Sequence, residues 1–188
     1  MAGPELLVLA RHARPTVDPA KPASEWDLCE EGALAARRMG ERLRSVSPSV
    51  VVSSVERKAI QTGAIAADVL GVTFQTGQDL HEHVRPFLNS DEQFEAEMER
   101  FFARPSERVF GEESASAVGA RFTRALDAMV AAHRGERLVV VAHGTVLSLH
   151  LAGRYGLDAA RVWGRLGMPS FAVVETRTKT LVDLVEAV

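Results

Sequence analysis

One cysteine in 188 residues, Cys29, excludes an internal disulfide and fits a reducing compartment. No apolar run approaches the ~20 residues of a membrane-spanning helix. The N-terminal stretch Met1-Ala2-Gly3-Pro4-Glu5 has no basic region ahead of a long apolar segment, so no secretion signal is expected. The net charge is only −3, which gives no general attraction to nucleic acid or to an anionic membrane. Any anion site must therefore be local. Internal repeats and low-complexity linkers are also lacking. These absences leave a soluble cytoplasmic protein as the expectation. What is present is an ordinary globular composition, 46% hydrophobic and 25% charged, sufficient for one core and one domain over residues 1–188.

Two junctions stand out. The apolar run Leu6-Leu7-Val8-Leu9-Ala10 stops at Arg11-His12, and Leu138-Val139-Val140-Val141-Ala142 stops at His143-Gly144. Each reads as a buried strand delivering polar side chains to the end of a sheet, where ligands of open α/β folds bind. A lone histidine after a strand is usually a packing residue. Two in matched settings, one beside an arginine, point to a shared pocket for an anion. Imidazole can serve as nucleophile, base or donor, and guanidinium suits phosphate oxygens.

The rest of the chain alternates strands and helices. Pro15, Pro19 and Pro22 keep the first loop from being helical. Helices are predicted over Glu30–Arg44, Glu56–Leu70, Ala115–Arg134 and Thr145–Arg154, with Gly71 placed to end the second. Strands are predicted over Val50–Ser53, Val72–Gln75, Leu138–Ala142, Phe171–Thr176 and Thr180–Val185, the last two joined by a tight turn at Arg177-Thr178-Lys179. This pattern implies an α/β fold, a three-layer α/β/α sandwich around a mostly parallel sheet. The interval 76–111 interrupts the alternation. It is expected to leave the sheet as an insertion with a helix near Asp91–Phe102. It holds Phe87, Phe94, Phe101, Phe102 and Phe110, readable as a small satellite core or as an apolar lid.

Four segments in order resemble the histidine phosphatase superfamily, the phosphoglycerate mutase-like proteins. Leu9-Ala10-Arg11-His12-Ala13 resembles the Arg-His-Gly signature. Ser54-Val55-Glu56-Arg57-Lys58-Ala59-Ile60-Gln61-Thr62 resembles Ser-Pro-x-x-Arg-Ala-x-Gln-Thr. Leu80-His81-Glu82 resembles the Leu-x-Glu that carries the acid, and the strand ending in His143-Gly144 resembles the closing His-Gly. Gly111-Glu112 and Glu113-Ser114, followed by Arg121, are similar to a Gly-Glu-Ser segment of the family. The resemblance spans roughly residues 6 to 150. It implies a phosphoglycerate mutase-like fold and a histidine acid-type phosphatase that hydrolyses a phosphomonoester with no metal or other cofactor. His12 would attack phosphorus and become phosphohistidine. Arg11 and His143 would hold the nonbridging oxygens, and the N-terminus of the helix after Ser54 would add N–H donors. Glu82 would protonate the leaving oxygen and later activate water. Such an acid must be protonated when it works, so its carboxyl is expected to be raised by burial or by the phosphate's own charge. Glu112 is the next carboxylate that could serve.

Three departures qualify the resemblance. Ala13 replaces the signature glycine, which is tolerable if the backbone there is not left-handed. A gapless alignment puts Lys58, not Arg57, in the slot of the second phosphate-binding arginine, with Arg57 able to reach in from next door. The loop Arg14-Pro15-Thr16-Val17-Asp18 lacks the Glu-Thr-x-x-Asn of mutases, which favours a plain phosphatase over a phosphoryl transferase. A catalytically weak phospho-ligand binder is the alternative from another class. The expected partner is a small phosphorylated substrate. His81 and His83 alone do not make a metal site, and Arg14, Arg85 and Trp26 could equally reach substrate or pack their loops. Cys29 lies before a helix but outside the implied reaction, and His133 and His150 sit in helices with no assigned role.

Overall fold

The computed structural model describes residues 6–188, and the Met1–Glu5 stretch lies outside them. Alternation within the strands sets the layers. In β1 (Leu6–Arg11), Leu7 and Leu9 enter one core while Val8 and Ala10 enter the other. The same split separates Val50 and Val52 from Val51 in β2 (Val50–Ser54), and Leu138 and Val140 from Val139 and Val141 in β4 (Leu138–Ala142). Strands buried on both faces need helices on both sides.

Two helices cover one face. α1 (Glu30–Leu43) is capped by Cys29, whose Sγ accepts from the Gly32 N–H at 3.3 Å, and it buries Ala36, Met39, Gly40 and Leu43. α2 (Arg57–Leu70) ends at Gly71, whose φ of 70° is the left-handed value that glycine adopts without strain. The opposite face carries α3 (Asp91–Ala103), α4 (Ala115–Ala132), α5 (Gly144–Tyr155) and α6 (Ala159–Arg165). Phe101 of α3 and Phe122 of α4 are both fully buried there, each worth roughly 1.5–3 kcal/mol of apolar burial.

With β3 (Thr73–Gly77), β5 (Ser170–Glu175) and β6 (Thr180–Val185), the sheet order is β3-β2-β4-β1-β5-β6. β3, β2, β4 and β1 are mutually parallel, whereas β5 runs antiparallel to both β1 and β6. The sheet is therefore mixed. A hairpin closed by a tight turn at residues 176–179 can only pair antiparallel. α6 escaped the sequence reading because seven residues hold too little periodicity; its start is capped by Asp158, which accepts from the Arg161 N–H at 2.7 Å.

The aromatic interval 76–111 does not form a satellite. Phe101 and Phe110 belong to the main core on the α4 side, with Phe94 and Phe102 packed against it and against Trp163. Phe87 alone stays exposed, and its ring meets Trp26 edge-on at 5.7 Å. That contact joins the proline loop to the segment that follows Glu82.

Candidate active site

β1 and β4 are adjacent and parallel, with Arg11 opposite Ala142. The residues that follow each strand must then emerge side by side, and the His12 N–H donates to the Ala142 carbonyl at 2.9 Å. The His12 and His143 rings meet edge-on at 5.1 Å. His12 Nδ1 lies 2.8 Å from the Ala13 carbonyl, an acceptor, so Nδ1 carries the proton and Nε2 keeps the lone pair. Burial pushes His12 well below the usual imidazole range, and His143, Lys58 and Arg11 push it further. It is a neutral base at physiological pH. Ala13 has no positive φ among the described residues. It is fully buried, and its N–H donates to Thr62 Oγ1 at 3.0 Å.

Arg11 is set by elements far away in sequence. Its Nη1 donates to the Leu166 carbonyl, just after α6. A Cβ on Gly144 would lie 3.0 Å from the Arg11 guanidinium carbon, so the glycine after His143 leaves the space in which Arg11 lies. Arg11 Nε and His143 Nδ1 are buried with no hydrogen-bond partner among the described residues. Buried polar atoms are ordinarily paired, so the Arg11 N–H and the second His143 ring nitrogen are both open to a ligand. His143 Nε2 lies 2.9 Å from Ser54 Oγ at the end of β2. Burial also holds His143 well below its usual range, with Lys58 adding to the effect.

Arg57 and Lys58 part company. Arg57 points outward and pairs with Asp27 at 2.8 Å. Lys58 is buried; its Nζ donates to the Ala23 carbonyl at 2.6 Å and pairs with Glu56. The remaining motif residues hold the frame. Gln61 accepts from the Leu28 N–H and donates to Asp27, tying the proline loop to α2.

Glu82 reaches the site from the loop after β3. Its Oε2 accepts from the Thr145 N–H at 3.0 Å, in the first turn of α5, and its Oε1 accepts from the His83 N–H at 2.9 Å. The positive end of α5 thus holds this carboxylate. One expectation is corrected here. Burial alone would raise the Glu82 carboxyl, but Arg85, His143 and the two N–H donors outweigh it and hold the group below the usual carboxylate value. Of the two causes expected to raise it, only the charge of a bound phosphate remains. Glu112 is exposed and its N–H binds the Val84 carbonyl, so it is not brought to the site. The second carboxylate there is Glu56, which sequence reasoning passed over. Its burial beside Lys58 was hinted only by an acidic residue two positions before a cationic slot.

The other candidates fall elsewhere. His83 is buried and stacked on Phe101 at 4.5 Å, while the His81 carbonyl accepts from Arg121. Arg14 is exposed. Arg85 lies over the Phe94 ring and makes no ion pair within 4.0 Å among the described residues, yet its charge is felt at Glu82, Arg11 and His143. His150 bonds Thr123 within the helical layer, and His133 pairs with Glu136 at the end of α4.

Comparison with known proteins agrees with this architecture. The chain aligns over 90% of its length with a mycobacterial glucosyl-3-phosphoglycerate phosphatase, covering 89% of that chain, at 23% identity and a TM-score of 0.71. A phosphoserine phosphatase from Entamoeba histolytica, solved with 3-phosphoglyceric acid, aligns over 96% of both chains at 15% identity and a TM-score of 0.76. Bacillus stearothermophilus YhfR aligns over 96% of both chains at 21% identity and a TM-score of 0.75. At these identities the likeness establishes the fold. No curated protein matches the chain. The family profile of the histidine phosphatase superfamily (branch 1) matches residues 7–181, and the chain belongs to that superfamily.

Proposed function

We propose that this protein is a metal-independent phosphomonoesterase of the histidine acid type that works through a phosphohistidine on His12. The observation that carries the reading is the neutral His12, its Nδ1 fixed on the Ala13 carbonyl, beside two buried polar atoms without hydrogen-bond partners among the described residues, Arg11 Nε and His143 Nδ1. In the first step His12 Nε2 attacks phosphorus as the ester oxygen leaves and takes the proton of Glu82. In the second, Glu82 removes a proton from water, which attacks the phosphohistidine and releases phosphate. Arg11, Lys58 and His143 stabilise the equatorial oxygens.

The substrate is a small phosphorylated molecule. Arg85, which acts on Glu82 at a distance but makes no ion pair within 4.0 Å among the described residues, favours an ester that carries a second anionic group. The phosphoserine phosphatase solved with 3-phosphoglyceric acid offers a parallel. A mutase role is disfavoured by the proline loop, which lacks the mutase residues after His12. Cys29, as the only cysteine, suits a reducing, cytoplasmic location. Among the described residues no helix is long and apolar enough to cross a membrane.

The test is direct trapping. Wild type mixed briefly with labelled substrate in the cold and quenched in alkali is expected to carry an acid-labile phosphohistidine, and His12→Ala none while remaining folded. Label on a serine or an aspartate would remove His12 as nucleophile.

A further inference from the structure

Glu56 is 7% exposed and lies among the groups that the proposed reaction needs. Its Oε2 pairs with Lys58, its Oε1 accepts the Glu82 N–H at 2.7 Å, and the same oxygen lies 3.5 Å from His143 Nε2. One carboxylate therefore touches the cationic side chain, the second histidine and the backbone of the acid. A lysine in place of an arginine fork is a flexible point charge that has to be aimed. Two of its three N–H donors are taken by Ala23 and Glu56, which leaves one for a phosphate oxygen. The pairing also has an electrostatic consequence: Glu56 cancels the charge of Lys58, so the site attracts phosphate less than its cations alone would.

We infer that Glu56 is a positioning residue, which holds Lys58 and the Glu82 loop in register and, by neutralising Lys58, lets product phosphate leave. The assignment rests on the phosphatase reading above. Glutamine at this position keeps an oxygen for the Glu82 N–H but turns an amide donor toward Lys58, freeing that charge for the anion.

Competitive inhibition by inorganic phosphate, measured with p-nitrophenyl phosphate as substrate, separates this role from a merely structural one. Glu56→Gln is expected to tighten phosphate inhibition by about tenfold or more, because a negative charge close to a dianion is removed. A loosened site would weaken it. Glu56→Asp keeps the charge but cannot span both partners, so its inhibition constant should stay within about threefold of wild type while kcat falls. In the double variant Lys58→Met with Glu56→Gln, the tightening should be absent. Unchanged or weaker inhibition in Glu56→Gln overturns the assignment, as does equal tightening in Glu56→Asp or tightening that persists without Lys58. If the Gln variant does not fold, the Asp variant decides: a constant within about threefold of wild type with a lower kcat supports the assignment, and a tighter or clearly weaker constant overturns it. A wild type that neither hydrolyses the ester nor binds phosphate in a calorimetric titration overturns the phosphatase reading as well. Turnover and phosphate binding in wild type, with an unaltered Glu56→Gln constant, overturn this assignment alone.

Discussion

Lys58 and Arg57 are neighbours in sequence with opposite fates, because helical geometry turns adjacent side chains about 100° apart. Lys58 faces the buried site and Arg57 the solvent and Asp27. Lys58→Ala is expected to weaken phosphate inhibition and turnover strongly and to destabilise the fold by about 3–5 kcal/mol, since Glu56 is left buried without its partner. Arg57→Ala should change each far less, because an exposed pair is worth only about 0–1 kcal/mol. Inhibition constants and thermal midpoints of the two variants check this, and the reverse ranking would return the cationic slot to Arg57. Glu82 offers a second test. An alkoxide needs a proton as it departs, whereas p-nitrophenolate hardly does. Glu82→Gln should slow an alkyl phosphate by on the order of 10²–10⁴-fold and p-nitrophenyl phosphate much less. The pH dependence has a definite sign. Glu82 is a carboxylate in the free enzyme, so protonation must come with the substrate dianion, and alkyl turnover should fall on the alkaline side with a limb that the Gln variant lacks. Equal losses on both substrates would show that Glu82 positions water instead.

Three elements meet at Glu82, and none of them is its sequence neighbour. The first turn of α5 grips its carboxylate, Glu56 at the start of α2 holds its N–H, and Arg121 of α4 holds its loop. Arg121 Nη1 donates to the Asp79 and His81 carbonyls at 3.0 and 2.9 Å, while Nε and Nη2 fork onto Glu113. The Gly-Glu-Glu-Ser segment thus bears on the Glu82 loop through this strut and through the Glu112 N–H on the Val84 carbonyl. Arg121→Met keeps the apolar stem and removes the bonds. Turnover of an alkyl phosphate is expected to drop by at least about tenfold, since small misplacements of a catalytic group are costly. The aryl phosphate should suffer less, because it leans less on the acid. A uniform loss on both, tracking a fall in thermal midpoint, would reduce Arg121 to fold stability.

Across the whole molecule, several histidines are buried and neutral, and that makes stability depend on pH. Burial, with Arg85 adding to it, lowers His83 to about 4, and burial with Arg154 does the same for His150. Unfolded histidine titrates near 6.5. Between these values the unfolded chain binds more protons, so stability rises with pH there. The contribution of each is complete above about pH 6.5 and is lost as the pH falls toward 4, roughly 1–3 kcal/mol apiece. His12 and His143 act in the same direction. His83 is the separable case, because both ring nitrogens are buried without partners among the described residues. His83→Leu is expected to flatten the dependence of the thermal midpoint between pH 7 and 4.5 and to raise the midpoint at pH 5. An unchanged slope would mean that His83 does not titrate in that window.

Periodicity alone determined most of the elements in this chain. Apolar runs marked β1 and β4, the glycine at 71 ended α2, and the turn at 177–179 made a hairpin of β5 and β6. Those signals are local, and so they survive in the linear chain. α6 and the merging of the aromatic insertion into the main core were not legible, because a seven-residue helix and a burial partner are decided by what lies across the fold. The site divides in the same way. His12, His143, Glu82, Arg11 and the pair Arg57-Lys58 could be named as candidates from residue types at strand ends and in motifs, but which of the two cations turns inward could not. Nor could their meeting. Parallel pairing of β1 with β4 brings the two histidines together, Gly144 and the Leu166 carbonyl aim Arg11, and the α5 N-terminus with Arg85 sets the charge on Glu82. Glu56 is the sharpest case. An acidic residue two positions before a cationic slot is too weak a signal to separate a solvated glutamate from a buried one, and only the packing of Ala23, Lys58, Glu82 and His143 around it makes it part of the site. Electrostatic character depends on burial and on neighbours remote in the chain, and those exist only once the fold has formed.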